Sequence, residues 1–238
     1  MEQKEQSVRI QTSLLSGVER KALVWLAERQ PQWMTSDLLT YIGHLGAVVI
    51  ALGFVLSACS VHFLWLSCLG FVINWYGDSL DGTLARVRCT QRPVYGFYLD
   101  HTVDAINEAL MFMGVGLSPF MRFDLSCVLL VVYLMLTVNV ALNAHLKGEF
   151  KLTYAKLGPT EFRLICIIAI VVLVLAKPLQ TFTFGITMLS TVFELHVLDV
   201  VGLVILLILI IIYLVTIIQD ARYYAKADPK HTDDGTKN

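Results

Sequence analysis

The segment NWYGDSLDGTLARVRCTQRPVYGFYLDHTVDAINE, residues 74–108, carries acidic side chains within two predicted membrane helices and decides the fold. In the first helix, polar and small residues recur at positions i, i+3, i+4 and i+7 and so lie on one face. They are Asp78, Asp81, Gly82 and Ala85. An acid at such a depth costs on the order of 2.5–3.5 kcal/mol. We therefore expect these acids to serve a function rather than packing.

The second helix of this segment adds two acids on one face, because Gly96, Asp100 and Asp104 follow one another at intervals of four. Two neighbouring helices can then point four carboxylates at one place, where like charges repel one another unless cations lie among them. Carboxylate oxygens favour Mg²⁺, Mn²⁺ or Ca²⁺ over zinc. Because Mg²⁺ usually binds a few carboxylates together with substrate phosphates, the pattern predicts one or two ions and a phosphate-bearing substrate.

The rest of the chain has the composition of a helical membrane protein, since 56% of its 238 residues are hydrophobic and its mean hydropathy is +0.67. Long apolar runs predict an all-α integral membrane protein with six transmembrane helices. The predicted spans are about 36–58, 61–88, 93–117, 125–146, 161–176 and 198–220. They predict a tail and surface helix at 1–35, a membrane domain at 36–222 and a polar C-terminal tail at 223–238.

Two further segments lie outside the predicted spans. Residues 13–33 predict an amphipathic N-terminal helix on the membrane surface, with a helix packed on the protein's own cytoplasmic face as the alternative. Its predicted apolar face consists of Leu15, Val18, Ala22, Trp25 and Leu26. Residues 178–196 are moderately apolar and predict an interfacial helix or a re-entrant piece. Ser36 and Asp37 are the predicted start signals of the first span.

The basic residues predict the orientation of the chain. Of the 18 lysines and arginines, all except Arg122 and Lys177 fall in the N-terminal tail, the loops after the second and fourth spans, or the C-terminal tail. The excess of positive charge predicts that both termini and the acidic segment face the cytoplasm. The polar N-terminus does not predict a removable signal peptide. A net charge of −1 gives no indication of a nucleic-acid partner.

The fixed positions read D-x2-D-G-x2-A-R-x9-G-x3-D-x3-D from Asp78 to Asp104. This pattern resembles the signature of the CDP-alcohol phosphatidyltransferases, with all eight fixed positions filled. The resemblance implies a metal-dependent enzyme of phospholipid biosynthesis. It would move a phosphatidyl group from CDP-diacylglycerol, or a similar lipid nucleotide, to an alcohol hydroxyl and release CMP. A homodimer is expected by the same analogy, and the short chain favours a prokaryotic plasma membrane.

The resemblance also implies roles for individual residues. Asp78, Asp81 and Asp100 would hold one or two Mg²⁺ or Mn²⁺ ions. Asp104 would complete the metal set and act as general base on the acceptor hydroxyl. A metal-bound carboxylate is a poor base unless its pKa is tuned, so orientation of the acceptor is its alternative role. The residues that would border the CDP moiety are Gly82, Ala85, Arg86 and Gly96.

A second hypothesis begins at His101, directly after Asp100. The pattern D-H-x2-D-A is similar to that of choline/ethanolamine phosphotransferases, which use a CDP-aminoalcohol and diacylglycerol. His101 is then a candidate catalytic base, since an unperturbed histidine titrates near neutrality. The alternative is a histidine that is hydrogen-bonded at the side of its helix. A membrane transporter with intramembrane carboxylates is the competing class, although it leaves the small residues and Arg86 unexplained.

Several other polar residues have more than one possible role. Glu108 lies on the same face as Asp104 and extends the polar cavity, binds the acceptor, or forms a salt bridge to a cation on another span. Arg163, near the start of the fifth span, either binds a phosphate of the acceptor or reaches lipid headgroups. Asn139 and Asn143 either join helices or contact the acceptor. The identity of the alcohol stays open.

Overall fold

The computed structural model describes residues 8–10, 16–147, 149–151, 159–188 and 191–229. Its helices are α1 (Ser16–Glu28), α2 (Ser36–Leu56), α3 (Leu64–Val87, after a 3-10 turn at Val61–Phe63), α4 (Pro93–Gly116), α5 (Phe123–Lys147), α6 (Pro159–Leu175), α7 (Lys177–Gln180) and α8 (Val197–Ala227). Its strands are β1 (Val8–Ile10), β2 (Glu149–Lys151), β3 (Thr183–Met188) and β4 (Thr191–His196). The outer ends of the predicted tails, residues 1–7 and 230–238, lie outside the described residues.

Each of the six predicted spans corresponds to one helix, namely α2 to α6 and α8. Three of these helices, α2, α5 and α8, are long and apolar enough to cross a membrane, within the part of the chain that the structure describes. The other three helices are either less apolar or shorter. The acids of the motif lie on α3 and α4, and α6 has 17 residues. That all six cross the membrane stays a prediction, and α8 continues to Ala227.

The first span starts where the sequence predicts, but a different residue caps it. The Thr35 side chain accepts a hydrogen bond from the Leu38 amide at 3.2 Å. The hydroxyl of Ser36, which was predicted as a start signal, instead donates to the backbone oxygen of Asp81 at 3.0 Å. An N-cap has an extended backbone that lets its oxygen reach the first turn, and Thr35 has this conformation.

Glycines let α2 and α3 pack with their backbones in close approach. A methyl group added at Gly77 would lie 2.2 Å from the Gly43 nitrogen, and one added at Gly46 would lie 2.4 Å from the Asn74 nitrogen. Neither distance leaves room for a β-carbon, so small residues set the spacing of this helix pair. The close approach brings the first half of α2 beside the acidic end of α3.

Two apolar clusters hold the helices together. The first comprises Ile50, Phe54, Leu64, Cys68, Phe71, Phe120, Ile170, Leu173 and Val174. The second comprises Leu23, Ala27, Met34, Leu39, Leu80 and Leu84. The second cluster joins α1 to the start of α2 and the acidic end of α3, so it supports the region that carries the motif.

The helix α1 packs on the protein through a face that differs from the predicted apolar face. Leu23 and Ala27 are buried, whereas Val18 and Trp25 are 73% and 53% exposed. Glu19 accepts hydrogen bonds from the Trp75 indole at 3.0 Å and from the Thr160 hydroxyl at 2.5 Å. The side of α1 that packs on the protein is therefore not the face predicted to contact the membrane. Val18 and Trp25 are exposed, and their contact with a membrane surface stays a prediction.

The segment at 178–196 does not form the predicted interfacial helix, and its re-entry into the membrane stays a prediction. After the short helix α7, strands β3 and β4 form an antiparallel hairpin in which Thr183 pairs with His196 and Met188 with Thr191. The prediction weighed hydropathy alone. The segment contains four threonines and three phenylalanines, which are β-branched and aromatic types that favour strands. A second strand pair, β1 with β2, is parallel.

Candidate functional site

Three carboxylates of the motif meet between α3 and α4. One oxygen from each of Asp78, Asp100 and Asp104 lies within 4.8 Å of the others. The side chains are partly open, with 23% of Asp78 and 42% of Asp100 exposed. Asp100 and Asp104 are one helical turn apart on α4. The packing of α3 and α4 against α2 brings Asp78 opposite them. A small solute can therefore reach the cluster from one side.

Asp81 lies on the same helix but is held by a different set of contacts. Its Oδ2 accepts a hydrogen bond from the Thr40 hydroxyl at 2.7 Å, and its Oδ1 accepts one from the Gly82 amide. Its backbone oxygen also accepts the Ser36 hydroxyl. The structure thus brings three of the four predicted metal ligands within one cluster and holds the fourth against α2.

An arginine from α6 completes the polar surroundings of Asp78. The Arg163 Nη2 donates to Asp78 Oδ2 at 2.5 Å, and its Nε donates to Asn74 Oδ1 at 3.0 Å. Asn74 is itself buried and donates to the Gly43 carbonyl at 2.9 Å. The third guanidinium nitrogen, Nη1, is buried without a hydrogen-bond partner among the described residues. Buried donors are rarely left without a partner, so this nitrogen is ready to bind a further acceptor.

The predicted nucleotide-binding residues border open space. A methyl group added at Gly96 would meet no atom within 4 Å, and one at Gly82 would meet only the Arg86 guanidinium at 3.4 Å. Glycine destabilises a helix interior by about 0.5–1 kcal/mol relative to alanine, and intramolecular packing does not require it at these positions. Ala85 is partly buried and Arg86 is exposed, with its Nη2 donating to the Thr83 hydroxyl at 2.9 Å. Space beside two helix glycines fits the close approach of a ligand.

His101 lies beside the cluster with one ring nitrogen engaged by its own helix. Its Nδ1 is 2.9 Å from the Phe97 carbonyl and 4.0 Å from Asp100 Oδ2. The rings of Phe97 and His101 stack with centroids 4.1 Å apart. This arrangement matches the alternative of a histidine hydrogen-bonded at the side of its helix, and a base role for His101 stays a prediction.

The remaining polar residues join helices. Glu108 accepts the Thr137 hydroxyl of α5 at 3.3 Å. Asn139 and Asn143 of α5 donate to Asp220 Oδ2 of α8, at 3.1 and 2.7 Å. These contacts agree with the interhelical interpretation of the two asparagines.

One set of residues beside the site was missed at the sequence level. Ser36, Thr40 and His44 recur at intervals of four on α2 and face the motif helices, where His44 Nδ1 is 2.8 Å from Asn107 Oδ1. The interval itself was the available signal, because polar residues one turn apart inside an apolar span form a stripe.

The three-carboxylate cluster fits a divalent cation. Its donors are hard oxygens, they come from two helices held in place by packing, and they are open to water on one side. No other group of three or more histidine, cysteine or acidic side chains could hold a metal ion in the described part of the chain. Asp78, Asp100 and Asp104 are therefore the residues that could hold Mg²⁺ or Mn²⁺, with Asp81 nearby on the same helix.

Fold and site together define a helical protein with apolar helices and an acidic motif on two consecutive helices that could hold a metal ion. Residues 33–227 match the CDP-alcohol phosphatidyltransferase family, and the chain belongs to this family. The match covers the whole helical region from the start of α2 to the end of α8. It confirms the resemblance inferred from the motif.

A curated relative adds a more particular similarity. The chain is 34% identical over 84 residues to a phosphatidylinositol phosphate synthase of Cutibacterium acnes (strain DSM 16379 / KPA171202). The aligned segment covers 35% of this chain and 38% of the relative. The chain therefore matches less than half the length of this relative.

Proposed function

We propose that this protein is an enzyme that transfers a phosphatidyl group from CDP-diacylglycerol, or a similar lipid nucleotide, to the hydroxyl of an alcohol, with release of CMP. The family match and the similarity to a phosphatidylinositol phosphate synthase support this reaction. The observation that carries the proposal is the convergence of Asp78, Asp100 and Asp104 within 4.8 Å. Such a cluster suits a substrate that carries phosphate groups.

The reaction needs one bond to form and one to break at the same phosphorus. The acceptor oxygen attacks the phosphate that bears the diacylglycerol, and the bond from that phosphorus to the oxygen of CMP breaks. Asp104 takes the proton of the acceptor hydroxyl or orients that hydroxyl. A bound Mg²⁺ or Mn²⁺ would neutralise charge on the pyrophosphate and on departing CMP. Asp78, Asp81, Asp100 and Asp104 are the proposed ligands, as one or two ions.

The donor nucleotide is proposed to lie along the open side of the motif. Gly82 and Gly96 leave space for it, because neither position has a packing partner that a methyl group would displace. Ala85 lies one turn beyond Asp81 on the same face, and the exposed Arg86 is placed to meet phosphate. The small residues fit a flat nucleotide, and the Arg86 guanidinium beside them fits its charged phosphate linkage.

Arg163 favours a phosphorylated alcohol as the acceptor. Its Nη2 binds Asp78, so the guanidinium lies beside the proposed reaction centre. Its unpartnered Nη1 is a donor that a phosphate oxygen would satisfy. The curated relative is named for a product that carries an additional phosphate, which is consistent with this choice. Lipid-headgroup contact by Arg163 is less favoured, because only 15% of its side chain is exposed.

We propose that all six long helices, α2 to α6 and α8, cross the membrane, with the motif and both termini on the cytoplasmic side. The contacts of α2 with the end of α3, and of α6 with the same region, support one polar end of the bundle. The basic residues support its cytoplasmic placement. The same proposal includes a homodimer in a prokaryotic plasma membrane. It also includes a membrane domain at residues 36–222 and contact of α1 with the membrane surface.

Mass spectrometry of the lipid product tests the proposal directly. The purified protein is incubated with Mg²⁺ or Mn²⁺, CDP-diacylglycerol and a panel of free and phosphorylated alcohols. We expect CMP and one phosphatidyl product, formed most rapidly from a phosphorylated alcohol. A product formed only from CDP-choline or CDP-ethanolamine with diacylglycerol would favour the alternative phosphotransferase and a role for His101. Turnover of neither donor, with ion uptake into proteoliposomes instead, would favour a transporter.

A further inference from the structure

Helix α2 presents a polar stripe to both motif helices. The stripe consists of Ser36, Thr40 and His44, which lie four residues apart and therefore on one face. α2 is otherwise apolar enough to cross a membrane. Polar side chains in such a helix normally have partners inside the protein, and each member of the stripe has one. The partners lie on α3 for Ser36 and Thr40, and on α4 for His44.

Thr40 fixes the orientation of Asp81. The Thr40 hydroxyl is in a buried residue and donates to Asp81 Oδ2 at 2.7 Å, while the Gly82 amide donates to Oδ1. Each carboxylate oxygen therefore has one donor, which leaves the other lone pairs free in a fixed direction. Ser36 adds a third contact through the backbone oxygen of Asp81. These contacts fix the direction of the Asp81 carboxylate and its position along α2.

His44 holds α4 in the same way. Its Nδ1 lies 2.8 Å from Asn107 Oδ1, so the ring donates to the side-chain oxygen of a residue that is 5% exposed. Asn107 comes three residues after Asp104 and thus less than one turn away. Farther along, a methyl group at Gly114 would lie 2.6 Å from Ala51, so α4 is packed tightly on α2 there as well. These two contacts fix the register of α4 against α2.

We propose that Thr40 and His44 are positioning residues that hold the acids of α3 and α4 in the geometry required for metal binding. Neither residue touches the proposed reacting atoms; each acts through a partner, Asp81 or Asn107. The inference rests on the proposed function, since it presumes that the acids bind a metal ion. Hydrogen-bond partners of metal ligands typically change metal affinity or activity by about 10–100-fold when they are removed.

Paired variants separate positioning from packing. Thr40→Val keeps the shape of the side chain and removes the hydroxyl, whereas Thr40→Ser keeps the hydroxyl. His44→Leu removes the ring donor, whereas His44→Asn places an amide donor near the position of Nδ1. Thr216→Val is the matched control, because the Thr216 hydroxyl donates only within α8, to the Ile212 carbonyl at 2.8 Å.

The measurements are Mn²⁺ affinity, from the free-ion EPR signal of the full-length protein in detergent, and kcat and KM for CMP release. We expect Thr40→Val to weaken Mn²⁺ binding by about 10–100-fold. His44→Leu should weaken it by a smaller factor, because Asn107 is not itself a proposed ligand. Thr40→Ser and His44→Asn should restore most of the affinity, and Thr216→Val should leave it unchanged. Raising the Mn²⁺ concentration should recover turnover in Thr40→Val.

Wild-type Mn²⁺ affinity in both Thr40→Val and His44→Leu would overturn the inference and leave the proposed function intact. An equal loss in Thr40→Val and Thr40→Ser would also overturn it, because packing rather than the hydroxyl would then be responsible. If Thr40→Val does not fold, the His44→Leu and His44→Asn pair decides in the same way. A wild-type protein that neither binds Mn²⁺ nor releases CMP would overturn both proposals.

Discussion

Replacing Gly82 or Gly96 with alanine is expected to stabilise the protein while it weakens binding of the CDP-linked donor. A methyl group at Gly96 meets no atom within 4 Å, and at Gly82 it meets only the flexible end of Arg86 at 3.4 Å. Alanine should therefore raise the free energy of unfolding by about 0.5–1 kcal/mol through helix propensity. The same methyl group enters the space assigned to the nucleotide.

The expected loss of binding follows from the size of one methyl group. An additional methyl in a filled site costs about 1–3 kcal/mol, which corresponds to a KM for the CDP-linked donor raised by about fivefold to 150-fold. Two glycines serve as controls. Gly17→Ala also enters open space, but on α1, and should leave KM unchanged. Gly77→Ala would place its methyl 2.2 Å from the Gly43 nitrogen and should destabilise the protein instead.

Thermal or denaturant unfolding in detergent and initial rates of CMP release are the required assays. Unchanged KM and kcat in both Gly82→Ala and Gly96→Ala would refute the assignment of this space to the donor. A fall in the free energy of unfolding for either variant would refute the conclusion that no packing partner lies there. The two assays together distinguish a ligand-facing glycine from a packing glycine such as Gly77.

Two further predictions concern other parts of the molecule. Arg163→Gln removes a charged donor beside Asp78. The KM for a phosphorylated acceptor should therefore rise about tenfold or more, while the KM for a free alcohol changes little. Equal changes in the two KM values would contradict the phosphate role. Asp199→Ala leaves the Arg122 and His196 amides without their carboxylate acceptor, which should lower the free energy of unfolding by about 1–3 kcal/mol in denaturant titrations. Unchanged stability would contradict the importance of this buried contact.

The helices were predictable because each depends on a local pattern. Apolar runs and the proline at the start of α4 marked the long helices to within a few residues at most ends. The hairpin at Thr183–His196 was missed because its residues are apolar enough to suggest a membrane segment, and hydropathy does not weigh strand propensity. The face of α1 that is buried depends on where α3 lies, which the helix sequence alone does not specify.

The proposed metal site was predictable to the extent that its acids lie close together in the sequence. Asp100 and Asp104 are one turn apart on a single helix, whereas Asp78 joins them through the packing of α3 and α4 on α2. The contact of Thr40 with Asp81 spans 41 residues and that of Arg163 with Asp78 spans 85 residues. Such pairs depend on the close packing of the helices, which no spacing within one segment encodes.

Substitution of the clustered acids tests the central claim most directly. Asp78→Asn, Asp100→Asn and Asp104→Asn each remove the charge of a proposed ligand with little change of shape. Asp124→Asn is the control, because Asp124 lies on α5 and binds Arg122. With CDP-diacylglycerol and an acceptor, we expect CMP release to fall at least about a hundredfold, or about 3 kcal/mol, in each of the three variants. Mn²⁺ binding should be lost with it, while the fold and the control are unaffected. Wild-type turnover in any of the three, at matched protein levels, would contradict a metal-dependent transfer at this cluster.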